Sequence, residues 1–146
     1  MFHKRRFVPL NPQKYSGDVN NIIMRSSWET RFAMWCDRNP SIIRWSSEET
    51  IIPYVCPTDN KLHRYFIDFK IHVQQKDGST KTYLIEIKPL KQTIQPDFPG
   101  KRTKKYLVES FNFLKNQAKW KAASEYAKDR KWEFKILTEK ELGISN

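Results

Sequence analysis

Glycine is scarce in this sequence. The four glycines, Gly17, Gly78, Gly100 and Gly143, are so dispersed that no glycine-rich loop exists to cradle a phosphate group. Cysteine is scarcer. Cys36 and Cys56 are too few and too isolated for a disulfide scaffold or a zinc site, which points to a reducing cytosol. No apolar run approaches the ~20 residues of a transmembrane helix. The opening Met-Phe-His-Lys-Arg-Arg-Phe is basic and lacks the apolar run of a secretory signal. Neither a basic amphipathic anchor nor a lipidation motif stands out, so a membrane is not the expected partner. No serine or cysteine has an identifiable activating histidine. His63 and His72 lack metal-ligand spacing to each other and read as surface or strand residues. Acidic residues are also in deficit, 16 against 27 Lys and Arg, for a net charge of +11. Such an excess predicts a polyanionic partner, of which nucleic acid is the commonest.

What is present suits a single folded domain. The 146 residues are 38% hydrophobic and 14% aromatic, enough for one core. Residues 1–17 carry Lys4, Arg5, Arg6 and Lys14 without periodicity, and read as a basic arm lying on a domain of residues 18–146. Trp28, Phe32 and Trp35 fall at i, i+4 and i+7 and predict a helix over 19–38, ended by Asn39-Pro40. Two short β candidates follow, Ile42–Trp45 and Ile51–Tyr54, with Pro53 suggesting an edge position. A longer strand over 62–75 then turns at Lys76-Asp77-Gly78-Ser79 and returns antiparallel over 80–88. After a Pro/Gly-bearing loop, a helix is predicted over 103–129 with Tyr106, Leu107, Phe111, Leu114, Ala118 and Ala122 as its core stripe. A strand over 132–137 and a short helix over 138–142 close the chain. The order α-β-β-β-α-β predicts an α/β fold with a mixed sheet flanked by helices.

Two of these strands carry charges that a buried strand normally excludes. Asp68 is lodged in Tyr65-Phe66-Ile67-Asp68-Phe69-Lys70-Ile71, and Glu86 and Lys88 share one face of Tyr83-Leu84-Ile85-Glu86-Ile87-Lys88-Pro89. A buried, unpaired carboxylate costs several kcal/mol, so a compensating ion-pair network or metal site is expected. One structural alternative is a cross-strand Asp68–Lys88 ion pair with Glu86 solvated at a sheet edge. The chemical alternative is phosphodiester hydrolysis, which needs carboxylates to hold Mg²⁺ and a lysine to orient water or stabilise charge. Asp68, Glu86 and Lys88 supply those groups, the Ile87 carbonyl is a further candidate ligand, and Glu29 joins them if its helix packs across the sheet.

Three blocks carry a family likeness: Arg25-Ser26-Ser27-Trp28-Glu29, His63-Arg64-Tyr65-Phe66-Ile67-Asp68-Phe69 and Leu84-Ile85-Glu86-Ile87-Lys88-Pro89. Together they resemble the signature of the restriction-endonuclease-like nucleases, the PD-(D/E)XK superfamily. The likeness is greatest to the head-completion nucleases of T-even-type tailed phages and extends to the endonuclease subunit of certain cut-and-paste transposons. It spans residues 20–140 and departs from the usual motif at Ile67, where the superfamily more often has proline. The resemblance implies Glu29, Asp68 and Glu86 as a metal-binding acidic site, Lys88 as the catalytic lysine, and Mg²⁺ as cofactor with Mn²⁺ able to substitute. It further implies a DNA endonuclease acting on DNA ends or packaged DNA during phage head completion, in the infected host's cytoplasm or the virion, with head or neck proteins as partners. Double-strand cutting would call for a homodimer or partner subunit. The competing reading is a catalytically silent, DNA-binding structural protein of the virion. His63 and Arg64, and the cluster Lys101, Arg102, Lys104, Lys105, Lys115 and Lys119, are the expected contacts to DNA phosphates.

Overall fold

The computed structural model describes residues 4–144. Its elements are β1 (Arg5–Arg6), β2 (Ile23–Met24), α1 (Ser27–Arg38), β3 (Ile42–Ser47), β4 (Ile51–Cys56), β5 (Lys61–Phe66), β6 (Phe69–Gln74), β7 (Thr80–Ile87), α2 (Lys104–Asp129), β8 (Glu133–Leu137) and α3 (Glu139–Leu142), with single turns of 3-10 helix at Pro12–Lys14 and Leu90–Thr93. The main sheet runs β3-β6-β7-β8; its first three strands are antiparallel and β8 joins parallel to β7. Apart from two small ribbons, β1-β2 and β4-β5, the core order is the expected α-β-β-β-α-β.

Each face of the sheet covers its own core. On one face Phe32, Ala33 and Cys36 of α1 pack with Trp45, Phe69, Ile71, Ile85 and Ile87. On the other, Trp120, Ala123 and Ala127 of α2 pack with Leu84 and with Ile52, Tyr54, Cys56, Tyr65 and Ile67 of the β4-β5 ribbon and its exit. Trp45 is fully buried against Phe7, Tyr15 and Phe69 rings at 5.7, 4.8 and 6.2 Å. Truncating such a residue to alanine costs about 3–5 kcal/mol.

The predicted long strand over 62–75 is two strands in two different sheets, broken at Ile67-Asp68. Tyr65, Ile67, Phe69 and Ile71 would all share one face of a continuous strand. Instead, Tyr65 and Ile67 lie in the core under α2, whereas Phe69 and Ile71 lie in the core under α1. The break reverses which face the odd residues use, and Asp68 stands at the reversal. The hairpin that follows is as expected: Gly78 at φ +88° completes the turn, and Asp77 Oδ1 accepts from Ser79 N at 2.9 Å.

Three other expectations are corrected. Helix α1 begins at Ser27 rather than near 19, because the Ser26 side chain accepts from Glu29 N and caps it. Its buried line is Phe32, Ala33, Cys36 and Asp37, leaving Trp35 48% exposed. In α2 the predicted stripe of Leu107, Phe111 and Leu114 is exposed, while Ala118 and Ala122 pack only at the edge of the core. A helix of 26 residues is about 39 Å long and the longest strand, of 8, is about 26 Å; the buried residues of α2, Trp120, Ala123 and Ala127, all lie in its second half, and its first turns are left uncovered. Lys14, in the segment read as a basic arm lying on the domain, donates to the carbonyls of Cys36, Asp37 and Asn39 at 2.7–3.0 Å and closes the C-terminus of α1. Residues 1–3 of that arm lie outside the described residues.

Candidate active site

The break at Asp68 is where the charged side chains converge. Because β6 starts at Phe69, paired to Ile85, the Asp68 side chain comes off the strand end beside β7. There Asp68 Oδ2 accepts a hydrogen bond from Ile87 N at 2.8 Å. Glu86 points to the α2 side of the sheet, as its neighbour Leu84 does, and is buried. Its Oε1 accepts a hydrogen bond from the Tyr65 hydroxyl, and its Oε2 lies 3.5 Å from Lys88 Nζ. The cross-strand Asp68–Lys88 pair with a solvated Glu86 is therefore not what forms. Lys88 pairs with Glu86, and Asp68 takes a backbone amide.

Glu29 stands in the first turn of α1, where the helix dipole favours a carboxylate. Its Oε1 accepts from Arg25 N at 3.2 Å. Arg25 in turn grips Glu48 with Nε and Nη2, at 2.7 and 3.0 Å. Glu48 occupies a left-handed turn (φ 55°) after β3, and its backbone N lies 3.3 Å from Asp68 O.

This much negative charge in a half-closed site shifts protonation. Burial, and then the charges of Glu86 and Glu29, hold the Asp68 carboxyl well above its ordinary value, while the Ile87 amide and Lys88 oppose them. Glu29 is also raised, chiefly by burial, with Arg25 N opposing and Glu48 and Glu86 adding. The Tyr65 phenol is raised, first by burial and then by Glu86, so it stays a donor. Lys119, from α2, sits over the Tyr65 ring at 5.5 Å; burial lowers its pKa and Glu86 opposes that. Three carboxylates gathered this closely, Asp68, Glu86 and Glu29, are a donor set that fits a divalent cation.

The four residues singled out from the sequence, Glu29, Asp68, Glu86 and Lys88, thus come to one place. The basic residues do not all join them. His63 pairs with Asp59 across the β4-β5 turn, Nε2 to Oδ2 at 2.8 Å, and Arg64 is exposed with its guanidinium 5.4 Å from the Phe66 ring. Lys101, Arg102, Lys104 and Lys105 are exposed on the loop entering α2 and its first turn. Lys115 and Lys119 lie further along α2, half-buried and close enough to interact. Sequence reasoning passed over Tyr65, Arg25 and Glu48. The signal for Tyr65 was available: a tyrosine two residues before Ile67 on an apolar strand face needs a partner for its hydroxyl.

A mixed sheet flanked by helices, with acids gathered at a strand break and a lysine two residues beyond the last of them, defines the restriction-endonuclease-like nuclease class. Residues 39–139 match the family model of the TnsA-like endonuclease N-terminal domain, and the chain belongs to that family. It is also 42% identical over 143 residues, 95% of this chain and 93% of the relative, to the head completion nuclease of Enterobacteria phage T4. Asp68, Glu86 and Lys88 fall inside the family match, and Glu29 lies before it.

Proposed function

We propose that this chain is a divalent-metal-dependent DNA endonuclease that hydrolyses phosphodiester bonds during phage head completion. The observation that carries the reading is the convergence of Asp68 and Glu86 at one strand break, with Lys88 Nζ 3.5 Å from Glu86 Oε2. The relative's name, head completion nuclease, supports the setting, which would be the infected cell's cytoplasm or the virion, with head or neck proteins as partners. The DNA partner is supported by the net charge of +11.

In this reading Asp68, Glu86 and Glu29 hold Mg²⁺, with the Ile87 carbonyl as a further ligand. Mn²⁺ substitutes because it accepts the same oxygen donors. The cation, when bound, supplies charge neutralisation at the phosphate and a more acidic water. The protein's own contribution is positional. Tyr65 and Lys88 fix the two oxygens of Glu86, and the Ile87 amide fixes Asp68. Lys88, tethered beside Glu86, orients the attacking water and stabilises charge that develops on the phosphate oxygens. Water adds to phosphorus, the bond to one ester oxygen breaks, and that oxygen leaves with a proton. Lys101, Arg102, Lys104 and Lys105 grip the backbone away from the reacting bond.

The test is supercoiled-plasmid cleavage in Mg²⁺ or Mn²⁺, beside EDTA controls and the Lys88→Ala and Asp68→Ala proteins. Metal-dependent nicking or linearisation that both variants lose supports the reading. A folded wild type that binds both DNA and metal yet never cuts, even with assembled heads present, would make the chain a silent structural protein of the virion.

A further inference from the structure

A second cluster of ligand-type side chains lies at the far end of the β4-β5 ribbon. Cys56 ends β4, Asp59 sits in the turn and His63 is the third residue of β5. The spacing is Cys-x2-Asp-x3-His. The register explains why they meet. Tyr54 pairs with His63 and Cys56 with Lys61, so Tyr54, Cys56, His63 and Tyr65 share the ribbon's inner face. The left-handed Asn60 (φ 57°) brings Asp59 back over that face. The thiol sulfur, one imidazole nitrogen and one carboxylate oxygen all lie within 4.8 Å of one another.

We infer that Cys56, Asp59 and His63 form a binding site for a borderline-soft divalent cation, Zn²⁺ by class, separate from the acidic site at Asp68. The chemistry of the donors selects the ion: a thiolate with an imidazole suits zinc, whereas Mg²⁺ takes oxygen ligands. Bond lengths of about 2.0–2.3 Å to a tetrahedral zinc place its ligand atoms about 3.3–3.7 Å apart, so no pair needs to close by more than roughly 1.5 Å. The site is also oriented. Asp59 Oδ1 accepts from Lys61 N at 2.9 Å, which leaves Oδ2 turned to His63. His63 leans against the Tyr54 ring, centroids 5.8 Å apart. Cys56 is buried, while the Asp59 and His63 side chains are each 39% exposed, so two of the three ligands open to solvent and the sulfur lies inside. The Cys56 sulfur also lies 3.1 Å from the Thr58 hydroxyl oxygen, a contact that orients the thiol. Three protein ligands leave the fourth position to water. A bound ion would staple the ribbon's turn, against the expectation that two isolated cysteines exclude zinc. The missing signal was that Cys56 combines with an aspartate and a histidine rather than with a second cysteine.

The experiment uses the full chain, stripped with EDTA and titrated with Zn²⁺ or Co²⁺ alone. Asp68→Asn is run in parallel, to separate this site from the acidic one. Wild type and Asp68→Asn should both take up one equivalent of Zn²⁺ and, with Co²⁺, show a sulfur-to-cobalt charge-transfer band in the near ultraviolet. Cys56→Ser should lose the band, and His63→Ala and Asp59→Ala, whose side chains are partly exposed, should lose uptake while keeping the wild-type circular dichroism. Cys36→Ala should keep both. A wild type without the band overturns the inference, as does a band that survives Cys56→Ser or disappears with Cys36→Ala. If Cys56→Ser fails to fold, His63→Ala and Asp59→Ala decide: undiminished uptake in both overturns it.

Discussion

The Tyr65 hydroxyl donates a hydrogen bond to Glu86 Oε1, and both residues are buried. Tyr65 comes from the ribbon and Glu86 from the main sheet, so this bond ties the two sheets together at the acidic site. Tyr65→Phe keeps the ring and removes only the donor. Partners that orient a metal ligand are worth about 10–100-fold in affinity or activity, so the variant should need more Mg²⁺ and cut about 10–100-fold more slowly. Plasmid nicking followed against Mg²⁺ concentration measures this. An unchanged Mg²⁺ dependence would mean that Lys88 alone orients Glu86.

Asp68 leads to a pH prediction whose sign can be worked out. Burial, then Glu86 and Glu29, raise its folded-state pKa above the unfolded value. In the metal-free chain its favourable contribution is fully present below the unfolded value of about 3.9 and is lost as pH rises through the folded value. Asp68→Asn keeps an acceptor for the Ile87 amide but cannot ionise. In EDTA it should therefore melt above wild type near neutral pH, with the gap closing below about pH 4. Adding Mg²⁺ should raise the wild-type melting temperature and leave Asp68→Asn where it was. Melting curves that coincide at every pH in EDTA would show that Asp68 carries no such strain.

The acids at this site were legible because each interrupts an apolar strand pattern. Glu86 and Lys88 alternate with Ile85 and Ile87, and one strand direction fixes their shared side. Asp68 was legible as an anomaly, yet its position at a strand break was not. Ile67-Asp68-Phe69 looks the same whether the odd residues keep one face or change faces, and that choice is made by two cores on opposite sides of the sheet. The apolar stripe of α2 misled for a related reason. Periodicity identifies a helix's apolar side but not how much of the helix the core covers, and Leu107, Phe111 and Leu114 are left uncovered. Arg25 and Glu48 were invisible because their bond joins elements whose approach only the fold creates.

Lys14 reports on how the N-terminal segment is held. Its ammonium donates to three carbonyls at the end of α1, two of them in the helix. Asp37, fully buried beside it, accepts from Leu10 N at 2.8 Å and Asn11 N at 3.0 Å. Lys14→Met preserves the aliphatic stem and removes the charge-assisted bonds. It should destabilise the fold by about 2 kcal/mol. For a chain of this size that lowers the melting temperature by about 4–8 °C. Thermal unfolding by circular dichroism checks it, and DNA affinity should hardly change. A loss of DNA affinity at unchanged stability would assign Lys14 to phosphate binding instead.

Lys101, Arg102, Lys104 and Lys105 stand exposed where the chain enters α2, ahead of the helix's buried second half. None of them has an ion-pair partner among the described residues, so their charge is free to meet phosphate. Cations that neutralise phosphates release counterions, and the log–log dependence of affinity on salt steepens by about 0.9 for each phosphate neutralised on duplex DNA. Replacing all four with glutamine should weaken DNA binding and flatten that slope by about 0.9 for every phosphate no longer neutralised, equally for unrelated sequences. Fluorescence anisotropy with two duplexes over a salt series gives both numbers. The acidic site lies at the strand break, so Mg²⁺ stabilisation in a thermal melt should persist in the variant. A slope unchanged from wild type would move the DNA path off the entrance of α2, leaving Lys119, which interacts with Glu86 and Asp68, as the cation of this helix at the acidic site.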